Sequence, residues 1–248
     1  MEPERLDDAT SWTASFVRCI PASASDSDVA GAKTAAANLQ TLCARLLQLP
    51  RGAVAHDGLL VQLQRAAAAA GVDELTAVAN AIGFLSQTFE ATAGLLGNTL
   101  VALARLPQLV QRLRGNPKLM RAIVAEVSRF DPSVQNTRRF FMADATIGGQ
   151  SIRSGDAVLL LLASANRDPS VNPNPDTFDY ERREPELFTF GSGNHRCPGR
   201  TLAETIAGAA TAVLLANGFR PASIVFPIAY RPSANGRIPE LTIDTAAA

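Results

Sequence analysis

The sequence predicts a mainly α protein with small β-sheets, an α+β chain, and three observations carry that reading. Between Asp73 and Leu106 only Glu74, Glu90 and Arg105 carry charge, and apolar residues fall on all sides, which predicts one long buried helix. Past Asp131-Pro132 the period shortens, so residues 134–141, 145–147, 151–153 and 157–162 read as short strands turning at Gly148-Gly149 and Ser154-Gly155-Asp156. A second apolar helical run covers residues 198–217 and stops at Gly218.

The remaining elements follow in order. Residues 4–19 and 28–49 read as helices, the second opened by the capping cluster Ser25-Asp26-Ser27-Asp28 and closed by Pro50. Residues 51–57 read as a loop, and a short helix containing the alanine run 66–70 ends at Gly71. The long central helix would span roughly 50 Å at 1.5 Å per residue. About 20 apolar residues also suffice to cross a membrane. Asn80, Ser86, Gln87, Thr88, Glu90, Thr92, Asn98 and Thr99 interrupt that reading and favour a core helix. Pro107 breaks the run, and a helix from about 117 to 130 precedes Asp131-Pro132. Residues 163–195 form a long meander rich in Pro, Asn, Asp, Arg and Gly, a length that is uncommon unless functional. Residues 219–244 read as a closing hairpin.

Composition excludes several classes of activity. The 248 residues hold 23 basic and 23 acidic side chains, so no basic surface awaits a nucleic acid. Cys19, Cys43 and Cys197 make no even-numbered framework, and the acidic Met1-Glu2-Pro3-Glu4 start is no secretory signal; both point to the cytoplasm. With only His56 and His195, zinc-ligand spacing is absent. No G-x-S-x-G element or Walker loop occurs.

The chemistry concentrates in Phe190-Gly191-Ser192-Gly193-Asn194-His195-Arg196-Cys197-Pro198-Gly199. Pro198 suits the first turn of a helix, which would make Cys197 its N-cap, where free N–H groups favour an anionic sulfur. Glycines at 191, 193 and 199 let the backbone approach a flat, bulky group. A buried cysteine beside a glycine-rich turn is the bland alternative.

This loop resembles the haem-binding loop of the cytochrome P450 family, the haem-thiolate monooxygenases. The resemblance implies that Cys197 is the axial ligand of a haem b iron, that Phe190 packs near the sulfur and that His195 reaches a haem propionate; Gly191 and Gly199 shape the same cofactor site. It implies three further elements. Glu126-Val127-Ser128-Arg129 matches the family's Glu-x-x-Arg helix, with Arg182 as the loop arginine joining the pair. Arg139, by its spacing from Pro132, would meet a propionate. Gln87-Thr88-Phe89-Glu90-Ala91-Thr92 aligns with the distal stretch that supplies an acid and an alcohol for proton delivery. Glu90 holds the acid position inside an apolar run. Ala91 holds the alcohol position, Thr92 lies about 100° around the helix from it, and Thr88 offers a hydroxyl from the preceding turn. Phe84, Gln87, Thr88, Ala91, Ser133 and Val134 would line the substrate pocket.

The implied architecture is the C-terminal portion of the cytochrome P450 fold, a long central helix over the haem and the cysteine loop beneath it. Residues 1–248 would be a single, incomplete domain whose family N-terminal part is missing. The implied activity inserts one oxygen atom of O2 into a small organic substrate, with electrons from a ferredoxin or flavoprotein reductase. Arg112, Arg114, Lys118, Arg121 and Arg200 would form the docking face, with neither nucleic acid nor membrane as partner. The alternative is a truncated, inactive relative, or a haem-binding remnant completed by a second chain carrying the missing half. A helical interaction protein unrelated to haem would require four ordered motif matches to be coincidental.

Overall fold

The computed structural model describes residues 3–21, 23–48 and 58–246; the expected loop at 51–57 and the Pro50 stop lie outside the described residues. The chain divides into two compact units, Met1–Phe89 and Glu90–Ala248.

In the first unit, helices α1 (Pro3–Val17) and α2 (Asp26–Leu47) pack together, followed by α3 (Leu59–Ala69). Ser25 caps α2: its hydroxyl accepts from the Asp28 N–H at 3.2 Å while Asp28 accepts from the Ser25 N–H at 3.1 Å. Leu39, Cys43, Val78 and Ile82 form this unit's core, with Trp12, Phe16, Leu47 and Leu60 packed against it. Burial pushes the Cys43 thiol up from its ordinary value of 9.0.

Helix α4 (Glu74–Arg105) is the expected long helix. Among the described residues no single helix is long and apolar enough to cross a membrane.

In the second unit α5 (Pro107–Gly115) follows at once, bent by 101° from α4. The sequence reading missed it by treating Pro107 as a stop; proline is welcome at a first helical position, and Leu109 and Leu113 then fall one turn apart and are buried. A 3-10 turn (Pro117–Leu119) leads into α6 (Met120–Phe130). Strand β1 (Thr137–Phe140) is shorter than expected. Residues 133–136 instead pair with the later turn: Gln135 donates to the Asn235 carbonyl at 2.7 Å, Arg237 to the Ser133 carbonyl at 2.8 Å, and Val134 bridges Gly236.

Strands β2 (Ala145–Ile147) and β3 (Gln150–Ile152) make a hairpin, and β4 (Ala157–Leu160) returns antiparallel to β1 with Thr137 opposite Leu160. Helix α7 (Leu162–Ala165) is a single turn that the sequence reading had merged into the strand and meander. Helix α8 (Arg200–Ala216) and the hairpin β5 (Ala229–Tyr230) with β6 (Pro239–Glu240) complete the chain.

Two clusters hold this unit. Leu95, Val124, Val127 and Ala207 join α4, α6 and α8, while Leu103, Leu109, Leu113 and Ile123 join α4, α5 and α6. Helix α4 comes close to the 133–134 segment at Gly94, where a Cβ would stand 2.8 Å from the Ser133 Cβ. Asn98 fixes the same approach by donating to the carbonyls of Asp131 at 2.9 Å and Arg237 at 3.3 Å.

Candidate active site

The cysteine loop is built by its own backbone. The Cys197 N–H donates to the Phe190 carbonyl at 2.6 Å, and Gly191 donates to Phe188 at 2.8 Å. A 3-10 turn, Gly193–His195, brings the chain round. At Gly191, with φ +71°, any Cβ would stand 2.5 Å from the His195 carbonyl oxygen, so the tight crossing needs glycine twice over. Cys197 is an unpaired thiol presented on the exposed side of this loop.

The expected N-cap is corrected. Helix α8 starts at Arg200 with Gly199 as its cap, because the Cys197 amide is spent on the loop bond and the first helical bond runs from Ala203 to the Gly199 carbonyl. The sulfur still faces the helix start, since a Gly199 Cβ would lie 3.7 Å from Sγ. Phe190 packs into the cluster of Leu95, Val124, Val127 and Ala207, which seats the loop against α4, α6 and α8.

Behind the loop lies a buried polar lattice. Arg129 is fully shielded and makes a two-pronged contact with Glu126, Nε to Oε2 at 2.9 Å and Nη2 to Oε1 at 2.7 Å. Its remaining N–H groups donate to the carbonyls of Asn166, Pro175 and Thr177 at 2.9–3.1 Å. Glu126 also accepts the Asp179 N–H at 2.8 Å, and Arg182 Nε stands 4.0 Å from Glu126 Oε1. Arg182 spends its Nη atoms on the carbonyls of Pro173, Asn174 and Thr177. The structure therefore brings Glu126, Arg129 and Arg182 together and ties them to the meander.

Three residues of this lattice escaped the sequence reading. Asn166 donates to the Ser128 and Arg129 carbonyls and to Thr189 Oγ1 at 2.7 Å, and its Oδ1 accepts the Phe188 N–H at 2.8 Å. Asn172 donates to the carbonyls of Asn166 and Glu186, and Thr189 donates to the Ser128 carbonyl. The available signal was a polar Thr189 between Phe188 and Phe190, and the Asn166-Arg167-Asp168-Pro169 turn.

On α4, Phe84, Gln87, Thr88 and Ala91 follow i, i+3, i+4, i+7 spacing and share one face. Phe84 and Gln87 are exposed, Thr88 and Ala91 half-buried. Ser133 is buried against Gly94, one turn beyond Glu90, with Val134 beside it. Glu90 is not enclosed by apolar neighbours, as its sequence context suggested: its side chain is 44% exposed and pairs with Arg231 Nη1 at 3.3 Å. A long helix needs one face for the following hairpin, and Glu90 falls there.

Threonines 34, 41, 99, 205 and 211 each turn their hydroxyl onto the carbonyl four residues back. Thr88 and Thr92 do not; Thr92 is buried and its Oγ1 has no partner. Arg139 lies half-buried on β1, donating to Thr137 Oγ1 at 3.0 Å and its neighbour's carbonyl at 2.9 Å, with no carboxylate partner among the described residues. His195 is exposed at the end of its 3-10 turn. Of the expected docking cations, Arg112 is engaged by Tyr180 and Glu181, and Arg200 by Glu204.

The sequence model described as Cytochrome P450 matches residues 57–217. Cytochrome P450 133B2 of Xylella fastidiosa is 35% identical over 197 residues, covering 79% of this chain and 49% of that protein. The biotin biosynthesis cytochrome P450 of Bacillus subtilis is 40% identical over 126 residues, 51% of this chain and 32% of that one. The solved complex of P450BioI with a hexadec-9Z-enoic acid ligated acyl carrier protein superposes with a TM-score of 0.79 at 29% identity, covering 98% of this chain and 63% of that chain. The chain thus spans about half the length of the first curated relative it matches. A mainly helical fold with small sheets, a thiol-bearing glycine loop and the Glu126–Arg129 lattice behind it agree with that match, and the chain belongs to the cytochrome P450 family.

Proposed function

We propose that this chain carries the haem-thiolate site of a monooxygenase acting on a small organic substrate. The observation that supports it most is Cys197, an unpaired, exposed thiol on a loop closed by the Phe190 carbonyl and joined through Asn166 to the buried Glu126–Arg129 pair. The residues fit a haem b. Gly199 offers the sulfur room that a larger residue would fill, and the stretch from Leu187 to Gly199 holds no carboxylate to repel propionates. Arg139, with neutral partners alone, fits a propionate, and His195 is free to take another.

A haem held there, with Cys197 as its thiolate ligand, would supply dioxygen activation. The protein's own part is to hold and shield. Cys197 would ligate, Phe190 would pack at the sulfur, and the substrate would lie against Ala91 of α4, with Ser133 and Val134 beside Gly94. Glu90, Thr88 and Thr92 hold the protons, and the two threonine hydroxyls are uncommitted to the helix backbone. Electrons come from a ferredoxin or flavoprotein reductase in the cytoplasm. Arg114, Lys118 and Arg121, none with a carboxylate partner among the described residues, are the cations available for it.

A second reading, haem binding without turnover, is favoured by Ala91 at the alcohol position and by the Glu90–Arg231 pair. The deciding experiment is a carbon-monoxide difference spectrum of the reduced, haem-loaded chain. A thiolate-type Soret band that vanishes in Cys197→Ala supports the site; failure to take up haem refutes it. Product formation with a reductase then separates the two readings.

A further inference from the structure

Arg200 is oddly placed for a helix residue. It is the first residue of α8, where the helix dipole disfavours a cation, and it precedes its partner Glu204 in the weaker of the two i, i+4 orientations. Its reason must therefore lie outside the helix. The guanidinium carbon stands 5.5 Å from the centroid of the Phe190 ring, while Nε donates to Glu204 Oε1 at 2.9 Å. Glu204 is buried, so its carboxylate holds the guanidinium on that side. Phe190 is also the residue whose carbonyl takes the Cys197 N–H.

We propose that Arg200 is the positioning residue of the cysteine loop: anchored by Glu204, it clamps the Phe190 ring and so fixes the backbone that carries Cys197. A planar guanidinium can stack on a ring and bond a carboxylate together; a lysine ammonium, a point charge, does this less well. The clamp itself needs no haem. Its effect on the sulfur's ligand role rests on the haem-thiolate reading above.

The test is amide hydrogen exchange at Cys197 in the haem-free full chain, since local opening reports how firmly the loop bond is held. Arg200→Met should lower protection at Cys197 about 2- to 5-fold, the range of one ring–cation contact, with Thr211 in mid-α8 unchanged. Arg200→Lys should fall between. The double variant Arg200→Met/Glu204→Gln, in which no buried carboxylate is stranded, should stay as low as Arg200→Met. Undiminished protection in Arg200→Met, or full recovery in the double variant, overturns the clamp. In the haem-loaded protein, the thiolate-type carbon-monoxide band should shrink in Arg200→Met relative to wild type. Its absence from the wild type would refute the haem reading and leave the exchange result to decide the clamp.

Discussion

Arg129 and Glu126 meet through two hydrogen bonds of 2.9 and 2.7 Å with both side chains essentially closed to water. Each guanidinium N–H that does not face Glu126 has a carbonyl of the meander. Removing one partner leaves the other charge buried and alone. Glu126→Ala is expected to cost about 3–5 kcal/mol in urea unfolding. Arg129→Lys should recover little of an Arg129→Ala loss, because the ammonium lacks the fork. A loss below about 1 kcal/mol would mean the lattice is solvated in solution.

The two positive-φ glycines of the cysteine loop should differ in tolerance. Gly193 has open space where a Cβ would go, whereas at Gly191 the Cβ meets a backbone oxygen at 2.5 Å. Gly193→Ala is expected to cost about 1 kcal/mol and Gly191→Ala about 2–3 kcal/mol. Thermal melts of the two variants would show whether that order holds.

Cys43 should resist alkylation while Cys197 reacts. Burial raises the Cys43 thiol, so the folded state keeps its proton where the unfolded state has lost it. The stabilisation is fully present below the ordinary 9.0 and is lost as pH rises beyond it. Peptide mapping after iodoacetamide at pH 8 should find Cys197 modified, with Cys43 modified only in urea. Denaturation midpoints should fall above pH 9.

Restoring a hydroxyl at position 91 should help proton delivery. Ala91→Thr is expected to raise product formed per electron consumed and lower hydrogen peroxide release about twofold or more, within the range of one positioned proton donor. Unchanged peroxide release would remove position 91 from proton delivery.

Reduction by the donor should slow as salt rises, because exposed charge pairs are screened. Lys118→Gln with Arg121→Gln should reduce the rate at low salt and flatten that dependence. Arg112→Gln should do less, its cation being engaged by Tyr180 and Glu181. Salt-independent rates in the wild type would rule this face out.

What the sequence revealed, and what it hid, follows the range of the forces involved. Helix α4 was legible because its apolar run is local, and Cys197 because its neighbours in sequence are also its neighbours in space. The start of α8 lies two residues beyond Pro198, since a bond from Cys197 back to Phe190, seven residues earlier, decides it. The partner of Glu90 is Arg231, which only the tertiary fold brings near. Asn166 carries little local signal, because its side chain and carbonyl meet Ser128, Arg129, Asn172, Phe188 and Thr189, which lie far apart in sequence.

The Asn166 amide governs how this chain can change length. One side chain ties the end of α6 to the residues just ahead of Phe190, and Arg129 with Glu126 holds 175–179. Both ends of the meander are thus nailed to the same spot, while residues 183–185 are exposed and join no part of that lattice. Insertions at Arg183-Glu184-Pro185 would bulge outward without moving the cysteine, whereas a single deletion between 186 and 190 would drag it out of register. The meander is a spacer pinned near both ends, with slack at Arg183-Glu184-Pro185.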